Sequence, residues 1–202
     1  MSAPAASTNE AKYESGNPVL RALIARFQRR VVALLERHTF ETVLDAGCGE
    51  GYLSRVLLDR FPGIDLSGFD LSPAAADAAA RRCPEGTFRA GNLDDLAGFA
   101  GRFDLIVCSE VLEHLADPGP ALRLLAARAA GHVLLTVPWE PWFRLANLAR
   151  GKYLATLGNH PEHVQAWSAG AFVRRVEPYF ETVHVETCFP WTIYLGRPRA
   201  GR

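Results

Sequence analysis

Three glycines at alternate positions, Gly47, Gly49 and Gly51, follow an apolar β-type run that ends in Asp45. A helical pattern begins directly after them. Glycine has no Cβ, so this pattern predicts a strand, a tight turn and a helix N-terminus where a ligand can lie against bare backbone. A dinucleotide fingerprint needs its third small residue one position later, where this chain has the bulky Tyr52. The spacing therefore argues against an NAD enzyme or a nucleotide-sugar enzyme.

Composition bounds the class of protein. The chain has 202 residues, of which 49% are hydrophobic and 22% charged, as in an ordinary globular domain. Its formal net charge is zero, which argues against nucleic acid as a partner. Residues 1–12 are small and polar, so we expect a disordered tail rather than a signal peptide, followed by one domain over 13–202. The four cysteines form no C-x-x-C motif and indicate a reduced, cytoplasmic protein.

Apolar β-type runs alternate with helical patterns along the chain. This order predicts an α/β fold with a parallel sheet and helices on both faces. The predicted helices cover 18–38, 51–60, 73–82, 120–129 and 169–179. The predicted strands include 64–70, 103–108, 132–137, 182–187 and 192–195. Residues 138–168 form an insertion after the fifth strand.

The D-x-G-x-G-x-G pattern resembles motif I of the class I S-adenosylmethionine (SAM) methyltransferases. The resemblance implies a Rossmann-like, mostly parallel seven-stranded sheet with an antiparallel last strand. It also implies that Asp70, at the end of the second strand, grips the ribose hydroxyls of SAM. The implied cofactor contacts are Asp45, Gly47, Cys48, Gly49, Gly51, Asp70, Leu71, Asn92, Leu93 and Ser109. Asn92 stands where the family usually has Asp, and its oxygen can still accept a hydrogen bond from the adenine amino group.

A second group of polar residues follows the fourth strand. If a helix begins there, Glu110, Glu113 and His114 stand at i, i+3 and i+4 and share one face. Ligands bind open α/β sheets at this edge, just past the carboxyl ends of the strands. Two carboxylates so close repel each other unless a cation or a proton lies between them.

The segment 159–168 adds two histidines before Trp167 and Ser168. Together with E-x-x-E-H it resembles two metal-dependent groups, the ubiquinone-biosynthesis O-methyltransferases and the small-RNA terminal 2′-O-methyltransferases. That resemblance implies a divalent metal ion held by Glu110, Glu113, His114 and His163, which activates the acceptor hydroxyl. The expected catalytic residues are His163, Glu113 and His114. A metal-free alternative stays open, in which His163 or Glu113 is a general base and His114 is a hydrogen-bonded structural histidine.

The insertion is aromatic, apolar and basic over 139–153. It allows three interpretations: a lid helix packed on the core, an aromatic wall for the acceptor, or an interfacial helix that makes peripheral contact with a membrane. We expect a small-molecule acceptor, aromatic or lipid-like, and a monomer or a homodimer.

The sequence thus predicts a SAM-dependent methyltransferase that acts on oxygen. Two alternatives stay open: a metal-independent N- or C-methyltransferase, and a non-catalytic SAM-fold partner subunit. The intact glycine turn and Asp70 argue against the second, because a degenerate copy would have lost them.

Overall fold

The computed structural model describes residues 12–13, 15–98, 101–141 and 164–199. Within these ranges the chain forms one seven-stranded sheet with the strand order β3-β2-β1-β4-β5-β7-β6. The strands are β1 (Thr42–Ala46), β2 (Asp65–Asp70), β3 (Thr87–Ala90), β4 (Phe103–Ser109), β5 (Ala129–Pro138), β6 (Phe180–Cys188) and β7 (Trp191–Pro198). The first five strands are parallel, and β7 pairs antiparallel with both β5 and β6. The predicted fold class and the antiparallel last strand are confirmed.

Five α-helices are described, all close to their predicted positions. They are α1 (Pro18–Leu35), α2 (Tyr52–Arg60), α3 (Pro73–Arg82), α4 (Gly119–Arg128) and α5 (Ala169–Val176). Asn17, Ser72 and Ser168 cap the N-termini of α1, α3 and α5 with their side-chain oxygens. Helices α1 and α5 each end three residues before the predicted boundary.

Hydrophobic clusters cover both faces of the sheet. Along β4, Ile106 and Cys108 belong to the cluster that includes residues of α4 and α5, while Leu105 and Val107 belong to the cluster that includes residues of α1 and α2. This split follows from the alternation of side chains along a strand. Because the two clusters lie on the faces of the sheet, the carboxyl ends of the parallel strands remain as the edge where a ligand can enter. None of the described helices is long and apolar enough to cross a membrane.

Most of the predicted insertion, residues 142–163, lies outside the described residues, as do residues 1–11. The three interpretations of the insertion therefore stay predictions. Trp139 N donates to Pro190 O, next to β7, at 2.8 Å, and Glu140 N donates to Trp167 O at 3.1 Å, which joins the two described ends of the insertion to each other. Lys12, assigned to the tail from sequence, instead makes defined contacts with the body of the protein.

Candidate functional site

The turn after β1 is built from backbone that only glycine adopts readily. Gly47, Gly49 and Gly51 all have positive φ, at 83°, 52° and 78°. The N–H groups of Gly47 and Cys48 both donate to the carbonyl of Phe69, each at 2.9 Å, so the turn is fixed against the end of β2. A Cβ on Gly51 would lie 3.0 Å from the Cα of Ala79 in α3. The predicted strand, turn and helix N-terminus are confirmed.

Asp45 is a buried carboxylate at this edge, only 2% exposed. Burial raises its pKa to about 6, the hydrogen bond from the Ser54 hydroxyl opposes that rise, and the charge of Asp70 adds to it. A buried carboxylate that is costly to ionise gains most from a cationic group placed beside it.

Asp70 joins the end of β2 to the glycine turn. Its Oδ2 accepts from Gly49 N at 2.8 Å and its Oδ1 accepts from Ser72 N at 2.9 Å. The next residue, Leu71, is 78% exposed. The edge of the sheet thus presents a fixed carboxylate beside an uncovered apolar side chain.

Asn92 caps the short 3-10 helix Leu93–Gly98. Its Oδ1 accepts from Asp94 N at 2.7 Å and from Asp95 N at 3.1 Å, while its own N–H donates to an Asp95 carboxylate oxygen at 2.8 Å. Since both lone pairs of the amide oxygen are used, the expected hydrogen bond to an adenine amino group needs the cap to loosen. The side-chain NH₂ is the group of Asn92 that these bonds leave for a ligand.

Three further residues predicted to contact the cofactor lie nearby. Cys48 is buried in the glycine turn, and Leu93 is half-buried against the core. The Ser109 hydroxyl lies 2.7 Å from the Thr136 hydroxyl on the neighbouring strand β5. Ser109 therefore joins the ends of β4 and β5.

The α-helix that would place Glu110, Glu113 and His114 on one face does not form. Glu110 has φ of 57°, in the left-handed region, and only a three-residue 3-10 helix, Leu112–His114, follows it. As a result the three polar side chains do not share one face: Glu113 is 1% exposed, whereas His114 is exposed.

Glu113 is a buried acid. Among the described residues, neither of its carboxylate oxygens has a hydrogen-bond partner, and the same holds for Oε1 of Glu110. Burial first, and then the charge of Glu110, hold the pKa of Glu113 well above its usual range. The backbone carbonyl of Glu113 accepts from Val164 N at 2.9 Å and Gln165 N at 3.0 Å. Val164, the residue after His163, therefore lies beside the backbone of Glu113. His163 itself lies outside the described residues.

These positions bear on the metal ion that the sequence suggests. In the described part of the chain, no three His, Cys, Asp or Glu side chains are arranged to hold a metal ion. The unpartnered oxygens of Glu110 and Glu113 are suitable donors for a hard divalent cation, but exposed His114 does not join them.

Two residues missed from sequence, Lys12 and Tyr13, lie across this edge. Lys12 forms an ion pair with Glu110. Tyr13 stacks on Tyr52, with ring centroids 4.2 Å apart and an interplanar angle of 6°. Burial, followed by the negative charges of Glu110 and Asp45, raises the pKa of Tyr13. No motif marks these residues, because their partners are distant in the sequence.

Comparison with known proteins identifies this arrangement. A family model described as a methyltransferase domain matches residues 19–180. The chain belongs to the class I SAM-dependent methyltransferases. SAM is therefore the cofactor of this enzyme.

Similar proteins include a ubiquinone biosynthesis O-methyltransferase from Alkalilimnicola ehrlichii. It is 31% identical over 147 residues, which cover 64% of this methyltransferase and 59% of the relative. This chain spans between 22% and 63% of the length of the curated relatives that it matches.

Solved structures with the same fold include two in complex with S-adenosylhomocysteine (SAH). The magnesium protoporphyrin IX methyltransferase from Synechocystis PCC 6803 has a TM-score of 0.66 at 23% identity, covering 92% of this chain and 90% of its own. The N-methyltransferase NodS from Bradyrhizobium japonicum WM9 has a TM-score of 0.67 at 19% identity, covering 96% and 94%. At such identities the similarity establishes the fold alone.

Proposed function

We propose that this protein transfers the methyl group of SAM to an oxygen atom of a small-molecule acceptor. The observation that carries the proposal is Glu113, a buried carboxylate that has no hydrogen-bond partner among the described residues and follows the turn in which Val111 packs on Gly47. Methylation of a hydroxyl releases a proton, and a carboxylate with a raised pKa can accept it. The similarity to ubiquinone biosynthesis O-methyltransferases supports oxygen over nitrogen or carbon.

One half of the site holds the cofactor. Asp45 pairs with the amino group of the methionine moiety, and the backbone of Gly47, Gly49 and Gly51 lies against that moiety. Asp70 accepts from the ribose hydroxyls through the lone pairs that Gly49 and Ser72 leave unused. The uncovered side chain of Leu71 packs on the adenine ring. SAM, when bound, supplies an electrophilic methyl group on a positively charged sulfur.

The other half of the site orients the acceptor and takes its proton. As the C–O bond forms, the electrons of the S–C bond pass to sulfur, and the hydroxyl proton passes to a base of the protein. His163 and Glu113 are the candidate bases. The hydrogen bond from Val164 N to Glu113 O supports both, since it ties the neighbour of His163 to Glu113. His114 is exposed, so it serves at the mouth of the site rather than beside Glu113.

A second candidate is the metal-assisted form of the same reaction. Oε1 of Glu110 and both carboxylate oxygens of Glu113, which have no hydrogen-bond partner among the described residues, favour it. These two residues, with His163, would hold a divalent ion whose charge lowers the pKa of the acceptor hydroxyl, and the exposed His114, expected from sequence as a fourth ligand, would stay outside the set.

Calorimetric titration with SAH and NAD tests the cofactor half. SAH should bind and NAD should not, and a protein that binds neither is a partner subunit rather than an enzyme. Methyl transfer should then be screened on catechols and phenols beside amines, with and without Mg²⁺. Preferred methylation of amines would overturn the assignment to oxygen.

Replacement of His163 tests the acceptor half. His163→Ala should remove methyl transfer while SAH binding stays intact. His160→Ala is the matched control, because it removes a histidine three positions away in the same segment. Unchanged turnover of His163→Ala would show that His163 is not the base.

A further inference from the structure

The ammonium group of Lys12 is held by both kinds of group that bind such cations well. It forms an ion pair with Oε2 of Glu110, and the side chains of the two residues are 22% and 25% exposed. It also lies 5.0 Å from the ring centroid of Trp191 and 5.4 Å from that of Tyr13. A carboxylate with two aromatic rings suits an ammonium ion, because a strongly hydrated divalent ion prefers a shell of oxygen ligands.

The positive charge of Lys12 stabilises the ionised carboxylates of both Glu110 and Glu113. It contacts Glu110 directly, and it favours the ionised form of Glu113, opposing burial and the charge of Glu110. Glu113 is 1% exposed and both of its oxygens lack a hydrogen-bond partner in the described ranges. A cation or a proton stabilises an acidic pair of this kind, and Lys12 is placed to supply a positive charge at Glu110.

We propose that Lys12 is the resident cation of the Glu110–Glu113 pair and occupies the position at Glu110 that a divalent metal ion needs. The two cations therefore compete for the same carboxylate. The inference deepens the proposed function, since it concerns the charge balance of the site that takes the acceptor.

The position of Lys12 is linked to the cofactor half through its neighbour. Tyr13 stacks on Tyr52, the first residue of α2 and the residue after Gly51. Residues 12 and 13 thus join the glycine turn to the acidic pair. Lys12 also fixes the side chain of Glu110, whose backbone has the uncommon φ of 57°. Lys12 is accordingly a positioning residue and does not itself take part in methyl transfer.

Titration of Mn²⁺ into SAH-saturated protein tests the competition. Lys12→Met removes the charge but keeps an unbranched apolar side chain, and Lys12→Arg keeps the charge. Mn²⁺ should bind Lys12→Met at least about tenfold more tightly than the wild type, which corresponds to about 1.4 kcal/mol. Lys12→Arg should match the wild type. In the Glu110→Gln background, the gain from Lys12→Met should disappear.

Equal Mn²⁺ affinity of the wild type and Lys12→Met would overturn the proposal, whether both bind the ion or neither does. A gain that survives Glu110→Gln would also overturn it, because the competition would then lie elsewhere. Lys12→Gln replaces Lys12→Met if the latter does not fold. SAH affinity, measured for each variant, separates this result from the proposed function: loss of SAH binding by the wild type contradicts the function, whereas altered Mn²⁺ affinity does not.

Discussion

Gly47 lies directly against the side chain of Val111, so that a Cβ on Gly47 would be only 2.3 Å from Cγ2 of Val111. Gly47 belongs to the turn after β1, and Val111 follows Glu110 in the turn after β4. The turn that carries the proposed cofactor-binding glycines and the turn that carries Glu110 are therefore packed on each other. Because the close approach leaves no room for a methyl group, the glycine is required here both by its φ and by its neighbour.

Gly47→Ala should destabilise the protein more than Gly63→Ala and should also weaken SAH binding. Gly63 has a similar φ of 89° but has nothing within 4 Å of an added Cβ, so it measures backbone strain alone. We expect a loss of about 1 kcal/mol for Gly63→Ala and a further loss of about 1–3 kcal/mol for Gly47→Ala from the clash with Val111. Urea unfolding and SAH calorimetry measure the two effects. Equal losses of stability would mean that Val111 moves away without cost.

The elements that could be predicted from sequence are those fixed by neighbouring residues. The turn around Gly47, Gly49 and Gly51 has its own signal in the glycine spacing, and the alternation of strands and helices indicates the parallel sheet. Glu110 shows where such reasoning fails. Its spacing to Glu113 fits an α-helix, but the chain instead adopts a left-handed residue and a 3-10 turn, which buries Glu113 and packs Val111 on Gly47.

The contact between Lys12 and Glu110 could not be predicted from the sequence, for a different reason. Lys12 is 98 residues from Glu110 in the sequence, and a polar stretch before the first helix gives no sign of such a partner. The two residues meet only because the chain crosses the edge of the finished sheet.

Asp45 should make the folded protein less stable as the pH rises from about 4 to 6. Its pKa is about 6 in the folded state and 3.8 as an ordinary value, so the folded state binds more protons in this window. The free energy of unfolding then falls as the pH rises, by about 3 kcal/mol for a difference of about two pKa units. Urea unfolding across this range should show a smaller fall for Asp45→Asn than for the wild type.

Asp104 provides a control of the opposite sign. Hydrogen bonds from the Thr42 and Glu41 backbone and from the Thr42 hydroxyl lower its pKa. Its contribution to stability is therefore present at neutral pH and is lost as the pH falls through its folded pKa. Asp104→Asn should lower the stability at neutral pH, whereas Asp45→Asn should not. The same pH dependence in both variants would contradict the assignment of the shift to Asp45.

Asn92→Asp should bind SAH more tightly than the wild type, and Asn92→Ala should bind it more weakly. The amide oxygen of Asn92 is used to cap the 3-10 helix through Asp94 N and Asp95 N. An aspartate keeps the cap with one oxygen and offers the other to the adenine amino group, while alanine loses the cap. Calorimetry with SAH at constant pH measures the order. If Asn92→Asp and the wild type bind SAH equally, the adenine amino group does not approach this side chain.

Glu113→Gln should lower the methyltransferase activity without lowering the stability of the protein. Glutamine keeps the shape of the side chain but carries no charge, and the glutamate oxygens have no hydrogen-bond partner to lose among the described residues. Since burial raises the pKa of Glu113, its ionisation opposes folding more strongly as the pH rises above the ordinary range of glutamate. Glu113→Gln should therefore be at least as stable as the wild type at pH 8, whereas turnover should fall by about 100-fold or more.

Glu110→Gln is the contrasting variant, because it removes an ion pair with Lys12 and should cost stability. If Glu113→Gln lost stability and activity together, Glu113 would act in folding rather than in proton transfer.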